Sequence, residues 1–288
     1  MRKLLFWSGI TVLLSLTACS GNSEKNAVKV MTLNVRFDNP RDSLNAWPKR
    51  ESLVIDYILD SKPDLLGMQE VLLHQYAALD SALTDYISIG VGRNDGARSG
   101  EMNPVFFRKD RFDLVRSKTF WLSSTPDLPG SMGWGASLPR IVSWMELVDK
   151  KNHEHLYFFN THFAHDSDSA RVMSSQILLH SVDSIANGFP FVITGDFNMP
   201  PSSTGYSILT GPNESVPLIE DSFEVSDKKP TGPQDTFNGF SDNNNSGRID
   251  YIFIRSGLKV LEHTTEVKKF HDVYISDHWP VQAMVSIE

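Results

Sequence analysis

The chain has 288 residues, a formal charge of −8, 40% hydrophobic and 22% charged residues. That length holds one large domain or two small ones. Its acidic balance gives no general help in holding a long phosphate backbone, although a local basic groove or a bound cation can act inside an acidic protein. Cys19 is the sole cysteine, which excludes an internal disulfide and a cysteine-based metal site.

Arg2 and Lys3 precede an apolar run from Leu4 to Leu16, shorter than the roughly 20 residues of a membrane span. The run ends in Leu16-Thr17-Ala18-Cys19, which resembles the lipobox of a bacterial lipoprotein. By that resemblance residues 1–19 are a signal peptide, Cys19 is the lipidated first residue of the mature chain, and residues 20–27 are a polar tether. Export from the cytoplasm and a lipid anchor in a membrane, on the periplasmic side or the cell surface, are the expected consequences. Losing Arg2 and Lys3 from 27 basic residues leaves 25 against 35 acidic ones, a net −10.

Val28 to Val35 reads as a first strand with Asn34 near its end. Pro48 opens a helix whose Leu53, Val54, Tyr57 and Ile58 share a face, and Lys62-Pro63-Asp64 stops it. Leu65 to Gln69 is a short apolar strand followed by Glu70. Val71 to Leu83 is helical in spacing, and Tyr86 to Val91 is a strand. A polar, glycine-rich loop over residues 92–103 leads to strands at Val105 to Arg108 and from Phe112. Leu122 to Arg140 is a Pro-, Gly- and Ser-rich loop, of a length that is often functional, and its Trp134 is expected to help wall a pocket. Ile141 to Val148 and Leu156 to Thr161 flank a polar turn and predict a hairpin. A helix from Ser169 to Ala186 leads into the apolar strand Phe191 to Thr194. A short helix near Ser207 and an irregular region from Gly211 to Gly247 follow. Tyr251 to Ile254, Leu258 to Glu262 and Val281 to Ile287 read as closing strands. No repeat or linker interrupts the pattern, so residues 28–288 are expected to form one domain. Hairpins mixed with helix crossovers predict two mixed sheets packed face to face with helices outside.

Phe191 to Asn198, FVITGDFN, is the stretch around which the chemistry gathers. Gly195 is expected to permit a tight turn. Asp196 and Asn198, at i and i+2, are expected to leave a strand end side by side. Asn34, Glu70, His162 and Asp250 also lie at or beside predicted strand ends, and Asp277-His278 precedes the last strand. Each has a structural alternative: a turn cap for Asn34 or Asp277, a helix cap for Glu70, a hairpin-end histidine, an Asp250–Arg248 ion pair. Brought to one mouth, they hold four carboxylates, two imidazoles and, with Asn198, two amides. Several carboxylates cannot all stay ionised side by side without a cation. A hard divalent ion, Mg²⁺ or Mn²⁺, resolves this; zinc fits less well without an HExxH or cysteine cluster. His153, Glu154 and His155 fall in the predicted hairpin turn and read as surface. His74, His180, His263 and His271 read as structural.

MTLNVR, GMQEV, NTHF, GDFN, RIDYIF and SDHWP occur in an order and spacing that resemble the endonuclease/exonuclease/phosphatase superfamily, from about Val28 to Ile287. That superfamily includes DNase I-like nucleases, abasic-site endonucleases, inositol-polyphosphate phosphatases, deadenylases and bacterial sphingomyelinases. The resemblance implies an α/β (α+β) fold, a four-layer sandwich of the DNase I-like kind. It implies that Glu70 is the principal metal carboxylate, with Asn34 beside it and Asp277 close by. Asp196 corresponds to the group that activates water, and Asn198 to the one that holds water or phosphate. His162 corresponds to a group that stabilises phosphoryl oxygens or protonates the leaving oxygen, oriented by Glu101. His278 corresponds to a phosphate contact oriented by Asp250. Arg36 stands where some members carry a second acidic residue, which weakens a two-metal arrangement and makes Arg36 a candidate phosphate contact.

The expected protein is thus an exported, lipid-anchored, metal-dependent phosphoester hydrolase that uses an activated water. Its substrate stays open between that of a phosphodiesterase or nuclease and that of a phosphatase or lipid-headgroup phosphodiesterase. A catalytically silent binding protein is a third possibility, disfavoured by the intact residue set. Arg36, Arg93, Arg98, Arg140 and Arg171 are scattered loop or terminus cations. With no basic block and a net −10, a compact phosphoester is expected over long duplex DNA. No protein partner is implied.

Overall fold

The computed structural model describes residues 26–212, 219–242 and 247–287. The leader, Cys19 and the tether up to residue 25 lie outside the described residues, and none of the described helices is long and apolar enough to cross a membrane.

In chain order, β1 (Val28–Asn34) is followed by a 3-10 segment (Pro40–Asn45) and α1 (Trp47–Ser61). Pro48 sits in the first turn of α1, where its missing N–H costs nothing, and Lys62 closes the helix in a left-handed cap. β2 (Leu65–Gln69), α2 (Leu73–Ala82), β3 (Tyr86–Ile89) and β4 (Val105–Arg108) come next. β5 (Phe112–Trp121), β6 (Ile141–Asp149) and β7 (His155–His162) form a meander. α3 (Asp168–Ala186) is capped by the Ser167 hydroxyl, which accepts from Ala170 N at 3.1 Å. β8 (Phe191–Asp196), α4 (Thr204–Thr210), β9 (Ile219–Asp221), β10 (Asp250–Arg255), β11 (Lys259–Thr265), β12 (Lys269–Phe270), β13 (Val273–Tyr274) and β14 (Val281–Ser286) complete the chain.

Two six-stranded mixed sheets result, in the orders β11-β14-β1-β2-β4-β3 and β5-β6-β7-β8-β10-β9. Strand alternation sends successive side chains to opposite faces, and both faces of the central strands are buried. Val28 and Val30 of β1, Phe158 of β7 and Val192 of β8 meet between the sheets. Met31 and Leu33 pack outward beneath α1 and α2. Phe159, Phe191 and Ile193 pack outward beneath α3 and α4. Three apolar interfaces therefore separate four layers, helix–sheet–sheet–helix, as expected.

Toward one end the inter-sheet layer turns polar. Gln69 Nε2 donates to Thr32 Oγ1 at 3.0 Å and to Asn160 Oδ1 at 2.7 Å, and Thr194 Oγ1 donates to the same Asn160 oxygen at 3.1 Å. Gly67 of β2 faces this belt: a Cβ there would lie 2.1 Å from Thr194 Oγ1, so a side chain is excluded. The belt is the floor on which the mouth of the sandwich stands.

The irregular region expected from Gly211 to Gly247 contains β9, which extends the second sheet by one short edge strand. Gly195 does not turn. It lies inside β8, and its missing side chain admits Thr161 O, which would stand 2.5 Å from a Cβ.

Candidate active site

Strand register brings the polar residues together. Parallel β7 and β8 set His162 opposite Asp196, and antiparallel β10 sets Asp250 opposite the same Asp196. In the other sheet, parallel β1 and β2 set Asn34 opposite Gln69, with Glu70 one residue beyond. β14 runs antiparallel to β1, so the Asp277-His278 segment ahead of it reaches the same mouth. Asn34 Nδ2 joins the sheets, donating to Glu70 Oε1 at 3.1 Å and to Asp196 Oδ2 at 3.0 Å.

Asn198 reaches the site differently from expectation. The strand ends at Asp196, Phe197 turns into the core, and Asn198 takes a left-handed φ of 50°. Its N–H donates to Asp196 Oδ1 at 2.9 Å, an Asx-type turn that sets the amide beside the carboxylate. Arg36 (φ 58°) and Glu70 (φ 61°) are also left-handed, at on the order of 1–2 kcal/mol each. The turn at Arg36 is held by its N–H on Asn34 Oδ1 at 2.9 Å, and by Arg50 and Gln75, which both donate to its carbonyl. Arg50 is fully buried and also donates to the carbonyls of Asn45, Val35 and Ile275, tying β1 to the Asp277 segment.

The two histidines sit in opposite electrostatic settings. His278 Nδ1 pairs with Asp250 Oδ2 at 2.8 Å, and its Nε2 is 3.8 Å from Asp196 Oδ2. Burial disfavours its charge, but Asp250 and Asp196 hold it well above the ordinary histidine range. His162 is pushed well below that range by burial and then by Arg140 and Arg93. Asn198 Nδ2 donates to His162 Nε2 at 3.0 Å, so that nitrogen is an acceptor and the ring proton lies on Nδ1. Burial, then the Asp250 charge, push Asp196 up to about 7.

Glu101 does not hydrogen-bond His162 as the resemblance implied. Arg93 clamps its carboxylate in a fork, at 2.7 and 2.9 Å, leaving it 4.0 Å from His162 Nδ1. Arg36 is held by Asp42 at 2.9 and 3.2 Å, with Nη1 3.6 Å from Asp277. Its charge is thus already engaged with carboxylates on the Asp277 side of the mouth.

Arg36, Glu70, Glu101, His162, Asp196, Asn198, Asp277 and His278 line a cavity of about 540 Å³. Arg140 and His165 line it as well, so both signs of charge face one space. From the long loop, Leu138 and Arg140 reach the cavity, whereas Trp134 stays outside its lining and offers its carbonyl to Ser167 at 2.8 Å. The role of Arg140 and His165 was not apparent from the sequence. Their signal is positional: Arg140 immediately precedes β6, which is antiparallel to β7, so the amino end of β6 opens at the same mouth as His162. His153 and Glu154 are exposed in the far turn, and His155 pairs with Glu146 at 2.8 Å, as expected of surface groups. His263 is buried against Ser222, remote from the cavity lining.

The donor set fits a hard divalent cation. Ligand atoms of Glu70, His162 and Asp196 lie within 4.8 Å of one another, as do those of Asp196, Asp250 and His278. In the second group, the His278–Asp250 hydrogen bond already commits both partners. A carboxylate pushed as high as Asp196 is short of positive charge, and Glu70 makes no ion pair among the described residues. Carboxylate oxygens with an amide beside them suit Mg²⁺ or Mn²⁺.

A two-sheet sandwich with acid, amide and histidine groups converging at one mouth defines a DNase I-like α/β protein. A model of the endonuclease/exonuclease/phosphatase family matches residues 31–278, and the chain belongs to that family. A Bacteroides vulgatus endonuclease/exonuclease/phosphatase structure is 36% identical, with a TM-score of 0.87, covering 91% of this chain and 99% of its own. A mannosyl-6-phosphatase from Bacteroides thetaiotaomicron is 33% identical, with a TM-score of 0.82, covering 90% and 99%. An uncharacterised protein of Acanthamoeba polyphaga mimivirus is 27% identical over 88% of this chain and 98% of its own. Members of this family are generally phosphoester hydrolases.

Proposed function

We propose that this chain is a divalent-cation-dependent hydrolase of compact phosphoesters, with phosphorylated sugars as the favoured substrate class. The observation that carries the proposal is one cavity lined by both signs of charge, with Glu70, Asp196 and Asp277 beside Arg140 and His278. Similarity to a mannosyl-6-phosphatase supports a phosphatase activity. The net charge of −8 offers no track for a polymeric phosphate backbone.

Mg²⁺ or Mn²⁺, held by Glu70 with Asn34 beside it, would supply positive charge for the phosphoryl oxygens. Asp196, fixed by the Asn34 amide and the Asn198 N–H, takes the proton of the attacking water. Asn198 fixes Asp196 by its N–H and His162 by its amide. His278, kept protonated by Asp250, donates to a phosphoryl oxygen. Neutral His162, its Nε2 3.4 Å from Asp196 and accepting from Asn198, positions the base, and the leaving oxygen takes its proton from water.

The test is turnover of sugar monophosphates, small diesters and plasmid DNA with Mg²⁺ or Mn²⁺, at low and moderate salt. Compact esters should be hydrolysed with shallow salt dependence, and EDTA should abolish turnover. Efficient plasmid cleavage with a steep salt slope, and no turnover of small esters, would overturn the proposal. Export and lipid anchoring through Cys19 are part of it, resting on Leu16-Thr17-Ala18-Cys19. Cys19→Ser should release the protein from the membrane fraction; unchanged fractionation would refute the anchor.

A further inference from the structure

Arg140 is 5% exposed and lines the cavity. Its Nη2 is 3.0 Å from His165 Nδ1. A guanidinium has only donors, so His165 Nδ1 accepts and the neutral ring carries its proton on Nε2. Arg140 Nε and Nη1 are buried without a hydrogen-bond partner, and Arg140 makes no ion pair among the described residues. Arg93, its neighbour, is instead matched by both oxygens of Glu101. A buried guanidinium with free donors, next to a second cation, is a site that an anion completes.

We propose that Arg140, with the Nε2–H of His165, recognises the dianionic phosphoryl group of a terminal phosphomonoester and disfavours phosphodiesters. This rests on the hydrolase reading above and names the feature of the substrate that the Arg140–His165 pair reads. A phosphomonoester offers three non-bridging oxygens and nearly two negative charges at neutral pH. Glu70, which would hold a cation, His278 and the Arg140–His165 pair line the same cavity, so a phosphoryl group seated there has a third partner in Arg140–His165. A diester has only two such oxygens and one charge. Its second ester oxygen carries a carbon toward one of these partners and leaves donors unmatched.

The experiment compares kcat/KM for p-nitrophenyl phosphate and bis(p-nitrophenyl) phosphate in wild type, Arg140→Met, Arg140→Lys and His165→Gln, with Mg²⁺. Inorganic phosphate binding is measured in parallel by calorimetry. Arg140→Met should lower monoester kcat/KM and phosphate affinity by about 10- to 100-fold, the range for one or two charge-assisted hydrogen bonds, with a clearly smaller loss on the diester. Arg140→Lys should restore part of the loss. His165→Gln should produce a smaller loss confined to the monoester. Arg140→Met should not lower Tm, because it removes an unpaired buried charge; if it fails to fold, the Lys and Gln variants carry the comparison. Equal losses on both esters, unchanged phosphate affinity, or a wild-type preference for the diester would overturn the proposal. If wild type turns over neither ester yet phosphate binding still depends on Arg140, the hydrolase reading falls and the recognition role stands.

Discussion

Replacing Asp250 by Asn tests the electrostatic division between the two histidines with almost no change in shape. Asp250 Oδ2 lies 2.8 Å from His278 Nδ1, and both residues are buried. Two unit charges about 4 Å apart at an effective dielectric of about 20 interact by about 4 kcal/mol, enough to decide the charge state of a buried imidazole. Asp196 remains 3.8 Å from the other ring nitrogen and still supports the charge, so the His278 pKa should fall without losing all of its elevation. The sign follows from the direction of the perturbation. Asp250 raises the His278 pKa, so its loss lowers it, and the proton needed on His278 leaves at lower pH. The basic limb of the kcat/KM profile should therefore move toward acid in Asp250→Asn, with a fall in kcat at neutral pH. The assay is a pair of pH–rate profiles under Mg²⁺ saturation, with folding checked by near-UV circular dichroism. A basic limb that stays in place in a well-folded variant would refute the assignment of His278 as the charged partner.

Other outcomes follow from the same geometry. Glu70→Gln should weaken Mn²⁺ binding measured by titration calorimetry, whereas unchanged affinity would reduce Glu70 to a turn residue that accepts from Asn34 and Phe37. Asp196→Asn should lower kcat by at least about 10²-fold without unfolding the chain; near-normal turnover would remove Asp196 from the chemistry. His263 is held near a pKa of about 3 by burial, then by Arg248, against an ordinary value of 6.5. Its stabilising contribution is full above 6.5 and is lost as pH falls toward about 3, so about 2 kcal/mol should go between pH 7 and 5. Urea unfolding at those two pH values should show a flatter dependence in His263→Gln, and an identical slope would contradict a buried neutral His263.

Much of this site was legible because it is built from strand ends. Asn34, Glu70, His162, Asp196, Asp250 and His278 could be placed together from the sequence, since apolar runs mark strands and the polar residue after each marks its exit. Arg140 was named only as a loop cation, although the expected hairpin of β6 and β7 already set the residue ahead of β6 beside the end of β7. The i, i+2 argument put Asn198 in the right place for the wrong reason, because an Asx turn rather than a continued strand brings it to Asp196. The belt of Thr32, Gln69, Asn160 and Thr194 was hidden. Alternation assigns polar residues to a solvated face, but here both faces of β1, β2, β7 and β8 are covered. β9, β12 and β13 have three residues or fewer, too short for any period to show.

That belt ties the site to the packing of the two sheets. Asn160 of β7 donates to Met68 O at 2.7 Å and Pro104 O at 3.0 Å in the opposite sheet, while accepting from Gln69 across the same gap. One layer further out, Asn34 of the first sheet holds Glu70 of its own sheet and Asp196 of the other. Neither sheet carries a complete site alone. Glu70 comes from one and Asp196 from the other, and His278 from the β1 side pairs with Asp250 from the β8 side. Buried polar pairs of this kind add little net stability when satisfied but are expensive to break. Their effect is therefore on register. A slide of one sheet against the other would separate the hydrogen-bonded pairs in the belt and the polar pairs of the candidate site above it together. The chain thus holds the groups of that site at fixed separation through the same contacts that align its sheets, rather than through the loops that rim the cavity.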